Sequence, residues 1–146
     1  MEDTIEKIKT GLGSRIKKWE EHNPKRIYVT IDREDIKDAA KFLFEDCGLR
    51  FCISTGVDTP EGYEIMYHFT ADKIGKFVTL RVIVPKADPE IESITPLIPG
   101  AEFIEREIYD MLGVKFKNHP RPFRLLLADD WPEDNFPHRK DNKLEK

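Results

Sequence analysis

Apolar residues recur every three or four positions near the start of the chain. Ile5, Ile8, Leu12, Ile16 and Trp19 form one stripe, which predicts an amphipathic helix over residues 1–21, regular from residue 4. Gly11 and Gly13 each weaken such a helix by about 1 kcal/mol, so it needs a packing surface. Alternation takes over at residues 26–31, where Ile27, Val29 and Ile31 share one face of a strand. Asp32 is placed to cap a helix starting at Arg33, with Ile36, Ala39, Ala40 and Leu43 inside and Gly48 as its left-handed end. Three strands follow. In residues 49–57, Leu49, Phe51 and Ile53 alternate. After a turn at Thr59–Gly62, Tyr63, Ile65, Tyr67 and Phe69 alternate with Glu64, Met66, His68 and Thr70. Residues 77–84 are apolar at nearly every position, as in a strand covered on both faces, and pair with the preceding strand as a hairpin.

Pro85, Pro89, Pro96 and Pro99 mark a linker with a short turn near residues 90–94. Gly100 leads into a further helix at about residues 101–112, closed by Gly113. Beyond Lys115 regular structure fades, and Pro120, Pro122, Pro132 and Pro137 forbid long helices. The pattern predicts an α+β fold with two layers, in which a mainly antiparallel sheet of about four strands packs with helices. It divides the chain into an α+β domain (residues 1–116) and an extended C-terminal arm (residues 117–146).

The chain has 146 residues, one domain's length, with 36% charged side chains and a net charge of -4. That balance argues against nucleic acid as a partner. Residues 27–116 carry 10 basic and 17 acidic side chains and the two ends together 14 and 11, so the ends are the better candidates for docking on an acidic surface. Cys47 and Cys52 are too few for a disulfide scaffold and are expected as buried free thiols. No window reaches the roughly 18 apolar residues that span a bilayer, and Glu2 and Asp3 do not suit a signal peptide, so a soluble, intracellular chain is expected. The histidines are scattered, and no C-x-x-C pair, H-x-x-x-H spacing, dinucleotide fingerprint or phosphate loop occurs.

Chemistry concentrates in Glu105-Arg106-Glu107-Ile108-Tyr109-Asp110-Met111-Leu112-Gly113 and the following His119-Pro120. Glu102, Arg106 and Asp110 are four apart, so one arginine is bracketed by two carboxylates. Ala101, Ile104, Ile108, Met111 and Leu112 make the apolar side. A general acid/base pair of Glu105 and Asp110 is disfavoured, because a spacing of five puts them on different helix faces. A plain solvated face with surface salt bridges and a face that grips another protein both remain open. In the arm, Trp131 and the run Arg139-Lys140-Asp141 join an aromatic anchor to charges, a composition typical of interfaces. A surface tail tied down by Trp131 alone is the simpler reading.

These motifs resemble the C-type subunit of respiratory complex I, the 30-kilodalton subunit family, and its relatives in membrane-bound energy-converting hydrogenases. The similarity spans about residues 27–141. It is densest from Arg81-Val82 through Asp88-Pro89, Ser93-Ile94 and the helix motif to His119-Pro120 and Arg124-Leu125-Leu126-Leu127, with Arg139-Lys140-Asp141 at its close. Family members place an arginine four residues after the histidine. Here that position is Phe123, and Arg124 fits the second arginine of the pair. The resemblance implies a non-catalytic structural subunit without its own cofactor or metal, in the peripheral arm of an ion-translocating redox complex. Its partners would be a large catalytic subunit and a small iron–sulfur subunit, which hold iron–sulfur clusters and, in hydrogenases, nickel–iron. Attachment to the cytoplasmic face of the membrane would be indirect. Carried over to matched positions, it implies framework or interface roles for Glu105, Arg106, Asp110, His119, Arg124, Arg139, Lys140 and Asp141. The short close after Asp141 is similar to the hydrogenase version, with the quinone-reducing version as the alternative. A free-standing adaptor, or a small enzyme using carboxylates and His119, are the readings from outside the family.

Overall fold

The computed structural model describes residues 4–121 and 136–140. Helix α1 (Thr4–Leu12) buries Ile5, Ile8 and Leu12, three of the five residues of the predicted stripe. It stops earlier than the apolar spacing implies. Gly13 adopts φ +51°, a short 3₁₀ turn follows at Gly13–Arg15, and Trp19 lies on strand β1 (Lys18–Asn23). β1 pairs antiparallel with β2 (Arg26–Thr30), Trp19 opposite Val29, so a strand partner overrides a helical period. Trp19 still meets α1, with the Lys9 ammonium over its ring. Gly11 is needed where it stands: a Cβ there would run into the Phe42 ring.

Helix α2 (Ile36–Lys41) is flanked by a 3₁₀ turn at Arg33–Asp35 and a π turn at Phe42–Asp46. Its inner face is the expected Ile36, Ala39, Ala40 and Leu43, and Gly48 takes φ +67°. Asp32 does not cap it. Its carboxylate faces Lys17 Nζ at 2.9 Å instead.

Strands β3 (Arg50–Thr59), β4 (Gly62–Ala71) and β5 (Lys76–Val84) complete a five-stranded sheet in the order β1-β2-β5-β4-β3. The β2–β5 pair is parallel and the other pairs are antiparallel, so the fold is the expected α+β with a mainly antiparallel sheet and one strand more than foreseen. Tyr63, Ile65, Tyr67 and Phe69 of β4 and Val78, Leu80, Val82 and Val84 of β5 fill the core with the helices. The opposite face of β5 is not covered as predicted: Phe77, Arg81 and Ile83 are half-buried there. Arg81 ties that face together, reaching Glu64 at 2.8 Å on β4 and Glu20 at 3.7 Å on β1, and lying over the Tyr28 ring.

A bulge between Phe51 and Ile53 changes which face β3 presents. Phe51 stays inside against Phe69, their ring centroids 5.4 Å apart. Ile53 is turned out opposite His68 and is 47% exposed, so the predicted Leu49, Phe51 and Ile53 face ends at Phe51. Cys52 is exposed and Cys47 half-buried, neither enclosed as expected.

The proline-rich linker holds one more element. Strand β6 (Glu90–Glu92) pairs parallel with β7 (Lys115–Lys117), which follows helix α3 (Glu102–Leu112). Glu90 faces Lys115 and Glu92 faces Lys117, while Ile91 and Phe116 point inward. Each strand has three residues, too short for a period to register.

Candidate functional site

Helix α3 carries the motif. A 3₁₀ turn at Pro99–Ala101 opens it, and Gly113, at φ +79°, closes it as a left-handed residue whose N–H bonds Tyr109 O at 2.8 Å. Ile108 and Leu112 press on β3 at Gly56. A Cβ there would lie 2.8 Å from Leu112 Cδ1, so glycine lets helix and strand approach.

Glu105 is not on a solvated face: it is fully buried. The Ser93 and Thr95 hydroxyls each donate to Oε1 at 2.5 Å, and the Ile94 N–H donates to Oε2 at 2.9 Å. His119 Nε2 lies 3.8 Å from Oε1. Burial pushes the Glu105 carboxyl above the usual range, partly offset by hydrogen bonds from Ser93, Thr95 and Ile94 and by the neighbouring His119 ring. Both oxygens accept bonds from the 93–95 turn, so the carboxylate fastens the linker to the helix. Thr95 was not foreseen, and the only trace of this contact in the sequence is two hydroxyl residues flanking Ile94.

His119 is buried and continues the cluster. Nδ1 accepts the Arg121 N–H at 2.9 Å, which leaves the ring proton on Nε2 to donate to Glu102 O at 3.1 Å. Arg106 contacts Glu102 at 3.3 Å, realising one side of the expected bracket. Asp110 is fully buried one turn later. Glu105, Arg106, Tyr109, Phe116 and His119 share the lining of a 340 Å³ cavity with residues of β6 and β7.

The described part of the arm clasps the other end of α3. The His138 N–H bonds Met111 O at 2.9 Å and Arg139 Nε bonds Leu112 O at 2.5 Å, which satisfies two carbonyls that a helix end leaves open. The Arg139 guanidinium lies over the rings of Tyr63, 5.0 Å away, and Phe136, 4.4 Å away, and Phe136 meets Tyr109 edge-on. The Lys140 N–H bonds buried Asp58 Oδ2 at 2.8 Å, with Lys86 Nζ 2.7 Å from Oδ1. Burial acts to raise the Asp58 carboxyl, but Lys86 and Lys140 outweigh it and hold it below the usual range. Asp58 is 82 residues from Lys140, a contact that local pattern does not signal.

The predicted residues thus fall into two groups on α3. Glu105, Arg106 and His119 line one cavity near its start, and Arg139 secures its end, while Asp110 is buried within the helix and Lys140 reaches Asp58 on β3. Arg124, Trp131 and Asp141 lie outside the described residues. Among the described residues there is no group of three or more potential metal-ligating His, Cys, Asp or Glu side chains. No helix among them is long and apolar enough to cross a membrane.

Residues 29–146 match the family described as the respiratory-chain NADH dehydrogenase, 30 Kd subunit. Similar proteins, named as the C subunit of NADH-quinone oxidoreductase, occur in Nocardioides sp., 40% identical over 78% of this chain and 48% of the relative, and in Chloroherpeton thalassium, 38% identical over 94% and 59%. A third, in Citrifermentans bemidjiense, is 34% identical over 82% of this chain and 75% of its own length. The chain therefore spans about half the length of the first of these relatives. Among solved structures, a trypsin-resistant fragment of Nqo5 superposes with a TM-score of 0.71 at 25% identity, covering 82% of this chain and 99% of the fragment. A chain from the membrane-bound sulfane sulfur reductase, an archaeal respiratory membrane complex, superposes with a TM-score of 0.81 over 96% of this chain and 84% of its own. Its 22% identity makes that likeness one of fold.

Proposed function

The chain belongs to the 30 Kd subunit family of the respiratory-chain NADH dehydrogenase, and on that premise we propose that it is a non-catalytic framework subunit of a membrane-associated respiratory oxidoreductase complex. The observation that carries this reading is the use made of the motif residues. Glu105 fastens the 93–95 turn to α3, and Arg139 fastens the arm to the other end. Charges placed this way give the helix a fixed pose, which suits a part that other subunits are assembled against.

Between the two versions of such a complex, the quinone-reducing one is favoured over the hydrogenase-like one that the short C-terminal close suggested. The three relatives described above are named for NADH-quinone oxidoreductase, and the reductase neighbour supports the fold alone. The partners are then a large catalytic subunit and a small iron–sulfur subunit. Clusters would reside in those subunits, and the chain would be held peripherally at the cytoplasmic face through them.

The test is purification of the tagged chain from gently solubilised membranes, with mass spectrometry of its companions. The reading expects a large subunit without paired nickel-ligating C-x-x-C motifs and a small iron–sulfur subunit, both stoichiometric. A large subunit with those motifs would return the hydrogenase version. Recovery of the chain alone from the soluble fraction would overturn the framework reading in favour of an adaptor or a free enzyme.

A further inference from the structure

The two edges of the five-stranded sheet are built differently. The β1 edge, Lys18-Trp19-Glu20-Glu21-His22-Asn23, carries charges along its length, the usual protection against pairing with another chain. The β3 edge has Arg50 near one end and buried Asp58 near the other. Between them, Ile53 to Val57 carries no charge and no proline. The bulge turns Ile53 outward there, and three of the five exposed large apolar side chains among the described residues border this stretch: Ile53 at 47%, Val57 at 42% and Phe103 at 58%.

A furrow runs between this edge and α3. Two adjoining cavities of 280 and 230 Å³ share Ile53, Ile104 and Glu107 as lining, extending toward Phe103 at one end and Met111 at the other. Among the described residues no strand pairs with the outer side of β3, and such an edge presents a row of backbone N–H and C=O groups that only another extended backbone can satisfy throughout. The alternating side chains of such a strand would enter the apolar furrow, and Glu107 is the charge placed to meet one of them.

We propose that the β3 edge is a strand-addition site. It takes an extended segment of a protein partner whose alternate side chains are apolar and which carries a basic residue opposite Glu107. The proposal rests on the framework reading for the partner's setting, but the site is testable without it.

The probe is the labelled peptide acetyl-Lys-Thr-Val-Thr-Val-Thr-Lys-amide, whose lysines and valines share one face of the extended strand, titrated into the purified full chain, with amide hydrogen exchange read on the same samples. Binding should protect β3 amides and spare those of β1. Ile53→Lys, at an exposed position, should keep the thermal midpoint and weaken binding by at least about tenfold, the loss expected when one buried apolar contact becomes a charge. Glu107→Lys should reverse the preference for this peptide over its counterpart with Glu at both ends. Glu21→Lys, on the opposite edge, should change nothing. Absence of binding, binding indifferent to Ile53→Lys and Glu107→Lys, or protection at β1 would overturn the proposal. Concentration-dependent self-association in sedimentation that Ile53→Lys abolishes would assign the edge to a second copy and overturn it as well. A chain that assembles with its subunits but ignores the peptide sinks the edge alone. A chain found by itself in the soluble fraction, yet binding the peptide, sinks the framework reading alone.

Discussion

A fully buried carboxylate has to be met by donors, and Glu105 is met by three. Glu105→Ala would leave two hydroxyls and a backbone N–H without their acceptor. The expected loss is about 3 kcal/mol, or a melting midpoint lower by about 10 °C, readable by thermal denaturation. Glu105→Gln keeps one acceptor oxygen and should lose less. The pH dependence has a defined sign. Because the folded carboxyl is raised, mainly by burial, the folded state favours its protonated form. Its contribution is complete below the ordinary glutamate value of about 4.3 and is lost as pH rises through the raised folded value. Denaturant titrations over that window should show a flatter pH profile in Glu105→Gln than in the native chain. Asp58 works in the opposite direction: its lowered carboxyl stabilises above the ordinary aspartate value, a contribution lost as pH falls through the folded one. The sequence did not reveal either burial. Glu105-Arg106-Glu107 reads as a solvated run because the turn that receives Glu105 lies about ten residues upstream in a proline-rich linker. Local spacing carries no information about that meeting.

Among the elements, α3 was legible almost in full, since Ala101, Ile108 and Leu112 keep the helical period and Gly113 ends it. Its C-terminal clasp is legible only in three dimensions. Gly113→Ala forces a side chain into the left-handed region, and its Cβ would lie 2.5 Å from Arg139 Nη2 and 2.6 Å from the Phe136 ring. Arg139→Ala removes the donor to Leu112 O and the cation over two rings. Each should cost about 1–3 kcal/mol and speed amide exchange in the last turn of α3 before the central strands respond. Two elements were misread for different reasons. Ile16 and Trp19 extend a helical spacing that Gly13 breaks, and pairing with β2 then claims Trp19 for a strand. Ile53 fits the alternation of β3, but one bulged residue reverses it, and a bulge has no signature in Phe51-Cys52-Ile53. On the outer face, His68 bridges Thr55 of β3 and Thr79 of β5 at 3.3 and 2.9 Å. Burial, then Arg26, lowers its pKa, so its contribution holds above the ordinary histidine value of about 6.5 and fades as pH falls. An NMR titration of the ring should find its midpoint below that of a histidine in the unfolded chain.

At the scale of the whole molecule, a sheet covered by helices on one side leaves Arg81 and its carboxylate partners open on the other. α3 is held at both ends, so it presents a fixed surface. Fold class and family were legible because they rest on long runs of pattern and on an ordered set of motifs. The framework account also predicts that Arg106→Ala lowers the amount of assembled complex, since Glu102 would lose the nearer of its two arginine partners, at 3.3 Å, and keep only Arg121 at 3.7 Å. Quantitative mass spectrometry of solubilised membranes reads that amount. The most direct measurement of the central claim is turnover per assembled complex in membranes carrying Glu105→Gln, His119→Ala or Arg106→Ala. A framework subunit predicts that the quantity of complex falls while each assembled complex keeps its native rate. Complex at native quantity with a collapsed rate would contradict the account and place chemistry in this chain.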